Sequence, residues 1–190
     1  MNGKIVIVDD EPITRMDIRA MLEEADYDVV GEASDGFEAI ELCKKHLPEL
    51  VIMDIQMPIL DGLKAGKRII TEQLAGGVLL LTAFSDKQTI EKASSIGALG
   101  YLVKPLDEKS LIPMVEVMIA KGKEIRKLEQ NLTKLNQKME ERKAIEKAKG
   151  ILMKENGCTE DEAYQMIRKL SMDRRCPMME IAATIVISYD

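Results

Sequence analysis

Aromatic side chains are scarce in this sequence. It has no Trp, two Phe and four Tyr, 3% of its 190 residues. Grooves and sheets that read single-stranded nucleic acid stack bases on aromatic faces, and this chain has too few rings to build one. Histidine occurs once, as His46, which removes Ser–His and Cys–His nucleophile pairs as ready candidates. The three cysteines, Cys43, Cys158 and Cys176, are odd in number and lack C-x-x-C spacing. They form neither a disulfide framework nor a zinc site, and the reducing cytoplasm is the expected location. No apolar run approaches about 18 residues, so no membrane-spanning helix is expected. The start, MNGKIVIVDDEP, reaches acids by its ninth residue and has no cleavage pattern of a signal peptide. Neither a P-loop nor a dinucleotide fingerprint occurs, and an enzyme is not expected.

What is present points to a folded chain with two dissimilar parts. Apolar residues make up 46% and charged residues of mixed sign 32%, which favours a packed core over disorder. Thirteen Met with few Phe fit helix-rich packing with adaptable contacts. The net charge of -6 is unevenly placed. Residues 1–120 carry 12 Lys and Arg against 21 Asp and Glu, while residues 121–190 carry 15 against 12. An acidic front and a mildly basic tail imply different partners.

In the front part short β-branched and apolar runs alternate with segments of helical spacing. The pattern predicts strands over 4–8, 28–33, 50–53, 78–81 and 101–103. It predicts helices over 13–22, 37–43, 63–74 and 87–96, and a last helix from about Ser110. Such alternation implies an α/β fold, a doubly wound five-stranded parallel sheet in the order 2-1-3-4-5.

The polar residues collect at one edge of that sheet. Asp9 and Asp10 follow the first strand, Asp54 the third, Thr82 the fourth and Lys104 the fifth, all at carboxyl ends, where open α/β sheets bind ligands. Singly, each reads as a cap or a turn residue. Together they read as a site. Three carboxylates in one crevice stay ionised only around a cation, and hard oxygen donors point to Mg²⁺. Lys104 adds a positive charge and Thr82 a hydroxyl. This set suits phosphoryl transfer to a carboxylate. Asp54 is the expected acceptor, because the adjacent Asp9 and Asp10 are better placed as a metal pair.

The residues that carry this pattern are IVIVDDE at 5–11, LVIMDIQMPILDG at 50–62, LLLTA at 79–83 and GYLVKP at 100–105. In order and spacing they resemble a two-component receiver domain. The resemblance implies phosphorylation of Asp54 by a sensor histidine kinase. It implies Mg²⁺ held by Asp10, Asp54 and the backbone carbonyl of Gln56, with Asp9 acting mainly through water. It also implies a switch and phosphoryl-contact set of Thr82, Ala83, Tyr101 and Lys104, and a cis peptide at Pro105.

Beyond the front part, Leu111, Met114, Met118, Ile125, Leu128, Leu132, Leu135 and Met139 recur in a heptad-like series that only Lys121 interrupts. Pro and Gly are absent between Lys123 and Lys149, so this linker reads as a stiff helix. The seam can cover a partner chain or its own domain. A parallel homodimer through Ile125, Leu128, Leu132, Leu135 and Met139 is the favoured reading. The expected division is 1–120, a helical linker over 121–141, and a small three-helix bundle over 142–190. In the bundle, Asn156-Gly157 ends the first helix, Thr159 and Glu162 form a capping box for the second, and Pro177 opens the third.

The basic residues of this tail read either as a solvated face or as a nucleic-acid surface. Ala148-Lys149-Gly150 sets a cation between two small residues. Here IEKAKGILM at 145–153, GCTEDEAYQMIRKLSMDRR at 157–175 and EIAATIV at 180–186 resemble an ANTAR domain, an RNA-binding antiterminator module. The resemblance implies binding to paired hairpins in a leader RNA, through Ala148, Lys149, Gly150, Arg168 and Lys169, with Arg142, Lys143 and Lys147 beside them. Receiver, coil and this module together resemble antiterminator regulators of catabolic operons such as those for ethanolamine use. Two alternatives stay open, a DNA-binding transcriptional regulator and a signalling scaffold with a protein-binding tail. The mostly apolar last helix counts against the first.

Overall fold

The computed structural model describes residues 3–83, 91 and 95–189. The helix expected over 87–96 lies largely outside them. The described chain forms two compact units, Met1–Lys127 and Leu128–Asp190.

In the first unit the strands are β1 (Lys4–Val8), β2 (Asp28–Ala33), β3 (Leu50–Asp54), β4 (Val78–Thr82) and β5 (Gly100–Val103). All pairings are parallel, in the order β2-β1-β3-β4-β5. This is the expected doubly wound sheet. Every residue of β3 and β4 is buried, as parallel strands covered on both faces require.

Side chains alternate across a strand, so each strand feeds two cores. Val6, Val8, Val51, Met53, Val78 and Leu80 pack on one face with Ala39, Ile40 and Cys43 of α2 (Gly36–His46) and Ala65 and Ile69 of α3 (Gly62–Thr71). Ile5, Ile7, Leu50, Ile52, Leu79 and Leu81 pack on the other with Ile18 and Leu22 of α1 (Pro12–Glu24). Leu111, Val115, Met118 and Ile119, from the start of α4 (Glu108–Asn156), join that second core.

Local chemistry sets the helix ends. Pro12 opens α1, where its missing N–H costs nothing. The Asp35 carboxylate accepts from the backbone N–H of Phe37 and Glu38 at the start of α2. The last receiver-side helix begins at Glu108, before the expected Ser110, because Asp107 caps it by accepting from Ser110 N at 2.7 Å. In turn, α3 ends at Thr71 rather than 74, since the chain turns at Gln73 with φ 53°.

Helix α4 is helical throughout the expected linker, 121–141. In the second unit it is joined by α5 (Glu160–Arg174) and α6 (Met178–Tyr189). Gly157, at φ 63°, closes α4, and Thr159 with Glu162 forms the expected capping box on α5. The core here is small: Ala148, Leu152, Ala163, Ile167, Ile181 and Ala182.

Two predictions follow from this packing. Ile167 is fully buried, and Ile167→Ala should cost about 2–5 kcal/mol of the second unit's stability, read by urea unfolding. Burial pushes the Cys43 thiol up to about 12, while Cys158 and Cys176 remain half-exposed. A thiol-alkylating reagent at neutral pH should therefore label the latter two in the folded protein and spare Cys43.

Candidate functional site

The sheet order brings the ends of β1, β3, β4 and β5 together. Asp9 follows β1, Asp54 is the last residue of β3, Thr82 the last of β4, and Lys104 follows β5. Asp9 is fully buried, and Asp54 and Thr82 nearly so. Lys104 Nζ donates to Asp9 Oδ2 at 2.6 Å and to Asp54 Oδ2 at 2.7 Å. One ammonium thus ties two strands that are far apart in sequence. The other oxygen of each carboxylate accepts from the backbone, Asp9 from Glu11 N at 3.0 Å and Asp54 from Gln56 N at 3.3 Å. The Lys104–Pro105 peptide is cis.

Asp10 completes a trio, with one carboxylate oxygen of each of Asp9, Asp10 and Asp54 lying within 4.8 Å of the others. Burial pushes the Asp9 carboxyl above its usual range, and the Lys104 ammonium only partly offsets this. Burial disfavours the Lys104 ammonium too, but the two carboxylates outweigh it and hold the amine above its usual value. Burial thus dominates at Asp9, while the two carboxylate partners dominate at Lys104. The remaining negative charge and the all-oxygen donor set fit a hard divalent cation.

The other receiver-side residues sit close by in the fold. Lys104 N donates to Thr82 O at 2.8 Å, which ties β5 to the end of β4. Ala83 is exposed, and Tyr101 is half-buried against the core that contains Met53 and Leu80. Sequence reasoning did not single out Arg15. Its guanidinium donates to Asp9 O at 2.7 Å and pairs with Glu32, fixing the turn that carries the first two aspartates. Its only sequence signal is a place one helical turn after Pro12.

In the second unit the expected RNA set splits. Arg142, Lys143, Lys147, Gly150, Arg168 and Lys169 are exposed. Ala148 and Lys149 are not, which corrects the expectation that both lie on an accessible face. Ala148 is a core residue, fully buried against α5 and α6. Lys149 keeps 9% of its side-chain exposure, and its ammonium pairs with Glu146 at 2.7 Å and Glu160 at 2.6 Å. Glu160 lies in the first turn of α5, so the pair crosses between helices. The seam residues Ile125, Leu128, Leu132, Leu135 and Met139 are all exposed, from 39% to 59%.

Among the described residues no helix is long and apolar enough to cross a membrane. The family model of the response regulator receiver domain matches residues 5–116, and that of the ANTAR domain matches residues 133–186. The chain is 42% identical over 183 residues to the transcriptional regulatory protein PdtaR of Mycobacterium tuberculosis, covering 96% of this chain and 89% of that one. The signal receiver domain of NarL from M. tuberculosis superimposes with a TM-score of 0.60 at 30% identity, covering 62% of this chain and 96% of that one. A chain of the CheX–CheY–BeF3–Mg²⁺ complex of Borrelia burgdorferi does so with a TM-score of 0.56 at 27% identity, covering 59% and 85%.

The site also depends on Gly62, where a Cβ would lie 2.0 Å from the carbonyl oxygen of Asp54. Gly62→Ala must displace the end of β3. The expected cost is about 1–3 kcal/mol, measured by urea unfolding.

Proposed function

The chain belongs to the response-regulator family, in the group that joins a receiver domain to an ANTAR domain, and on that footing we propose a phosphorylation-activated regulator that binds paired hairpins in nascent mRNA and prevents transcription termination. It is a transcriptional regulator without a catalytic output domain. The receiver would span 1–120, the coil 121–141 and the ANTAR domain 142–190. The observation that carries the receiver reading is Lys104 Nζ placed between the buried carboxylates of Asp9 and Asp54.

Asp54 is the phosphoacceptor in this reading. One of its oxygens attacks phosphorus on the kinase's phosphohistidine. The new O–P bond forms as the P–N bond breaks, and the imidazole leaves. Asp10, Asp54 and the Gln56 carbonyl would hold Mg²⁺, with Asp9 acting through water, and the bound ion would supply positive charge against the phosphoryl oxygens. Lys104 adds its ammonium charge to the same oxygens, and Thr82 and the Ala83 backbone donate hydrogen bonds to them. Thr82 and Tyr101 then follow the phosphoryl group and bias a two-state receiver.

Output is the pairing of two chains. The apolar positions Ile125, Leu128, Leu132, Leu135 and Met139 are exposed in the single chain, as a seam awaiting a second copy would be. Pairing would bring two basic bundles to one two-hairpin leader RNA and raise the effective concentration of the second contact. Arg142, Lys143, Lys147, Gly150, Arg168 and Lys169 are the exposed candidates for that contact.

With acetyl phosphate and Mg²⁺, the unaltered protein should gain one phosphoryl group by intact mass and Asp54→Asn none. A variant that still gains it would move the acceptor elsewhere. Mg²⁺ alone should raise the thermal midpoint of the unaltered protein by mass action, and Asp10→Ala should abolish that rise.

A further inference from the structure

We infer that the RNA phosphate backbone lies along one outer stripe of α4, formed by Lys143, Lys147, Gly150 and Lys154, and that Lys149 is a positioning residue of the fold and not an RNA contact. This deepens the RNA reading above and rests on it.

The α-helix turns about 100° per residue, so its circumference can be divided by position. Lys143, Lys147, Gly150 and Lys154 fall within about 60° of arc. The core positions Ile145, Ala148 and Leu152 point about 160° away from that stripe. Carrying the seam onward from Met139 in steps of three and four reaches Arg142, Glu146, Lys149 and Met153, about 100° from the stripe. One sector therefore packs on the bundle, one continues the line of the seam, and the third is exposed in the single chain. That third sector carries three lysines.

Gly150 is the independent observation. It sits inside a helix, where glycine is a cost to folding. A Cβ at this position would meet nothing within 4 Å among the described residues, so none of them requires the glycine. A bare backbone at the centre of a basic stripe lets a phosphodiester chain come close, with the lysines on either side. Lys143 pairs with Glu140 at 2.8 Å, but both side chains are about two-thirds exposed, and such pairs exchange readily for phosphate. Glu146 is held by Lys149 on the adjacent sector.

Lys149 has the opposite character. Its side chain is largely covered and its ammonium is doubly paired, and its partner Glu160 belongs to the neighbouring helix. It clasps the start of α5 to α4. Reaching a phosphate would require breaking both pairs.

The test uses the full-length, phosphorylated protein and a synthetic RNA carrying two small-loop hairpins, titrated across a salt series. Lys147→Ala/Lys154→Ala should weaken binding by about tenfold or more and flatten the slope of log K against log salt by about 0.7 per lost contact. Gly150→Leu should weaken binding at unchanged charge, with helicity by circular dichroism retained. Lys149→Met should lower the thermal midpoint while leaving the salt slope, measured below that midpoint, as in the unaltered protein. Unaltered binding and slope in the two stripe variants would overturn the assignment. So would a flattened slope in Lys149→Met at an unchanged midpoint. If the unaltered protein binds no hairpin RNA in any state, the RNA reading itself fails, a result distinguishable from failure of the stripe.

Discussion

One ammonium group organises the receiver. Lys104 Nζ lies within hydrogen-bond distance of carboxylates from β1 and β3, though its own strand, β5, is separated from β3 by β4. The order β2-β1-β3-β4-β5 brings these three distant segments to one edge of the sheet. The apolar alternation that builds the two cores therefore also aims the site. The constraint is electrostatic as well as geometric. The buried carboxylates of Asp9 and Asp54 repel each other and the exposed Asp10 beside them, one lysine cannot neutralise all three, and the charge left over suits a hard divalent cation. Arg15 and Gly62 serve the same centre at one remove. The first holds the Asp9 carbonyl, and the second lets α3 begin against the Asp54 carbonyl.

The tail solves a different problem, since a bundle of this size has little core to spend. Three of its six buried apolar residues are alanines, which allow close helix approach but bury little area each. Lys149 adds a cross-helix ion pair beside that core, and the capping box at Thr159 and Glu162 fixes the start of the second helix. On the long helix α4, Ala148 and Leu152 face the core of the bundle, whereas Lys143, Lys147, Gly150 and Lys154 are exposed.

Much of this was legible in the residues. The strand runs, the capping box and the glycine stop at 157 follow from periodicity and turn chemistry, because each is a local signal, and the sheet order follows from the right-handed crossovers that alternating strands and helices require. The cluster of Asp9, Asp10, Asp54, Thr82 and Lys104 was legible because parallel strands place their carboxyl ends together. Lys149 was misread as accessible. Its partner Glu160 stands eleven residues away across a turn, and a small–Lys–small triplet looks the same on a surface as beside a core. Arg15 was missed because its partners are a main-chain oxygen and a residue of another strand. The early start of α4 was missed because Asp107 caps through its side chain, a choice the spacing of apolar residues does not report.

The central claim is that phosphorylation at the receiver governs RNA binding at the tail. The most direct measurement is the affinity of the full-length protein for a two-hairpin leader RNA, with and without phosphodonor and Mg²⁺, with molecular mass followed by light scattering. The account predicts tighter binding after phosphorylation, together with a shift in mass from one chain to two. Equal affinity and equal mass in both states would contradict it.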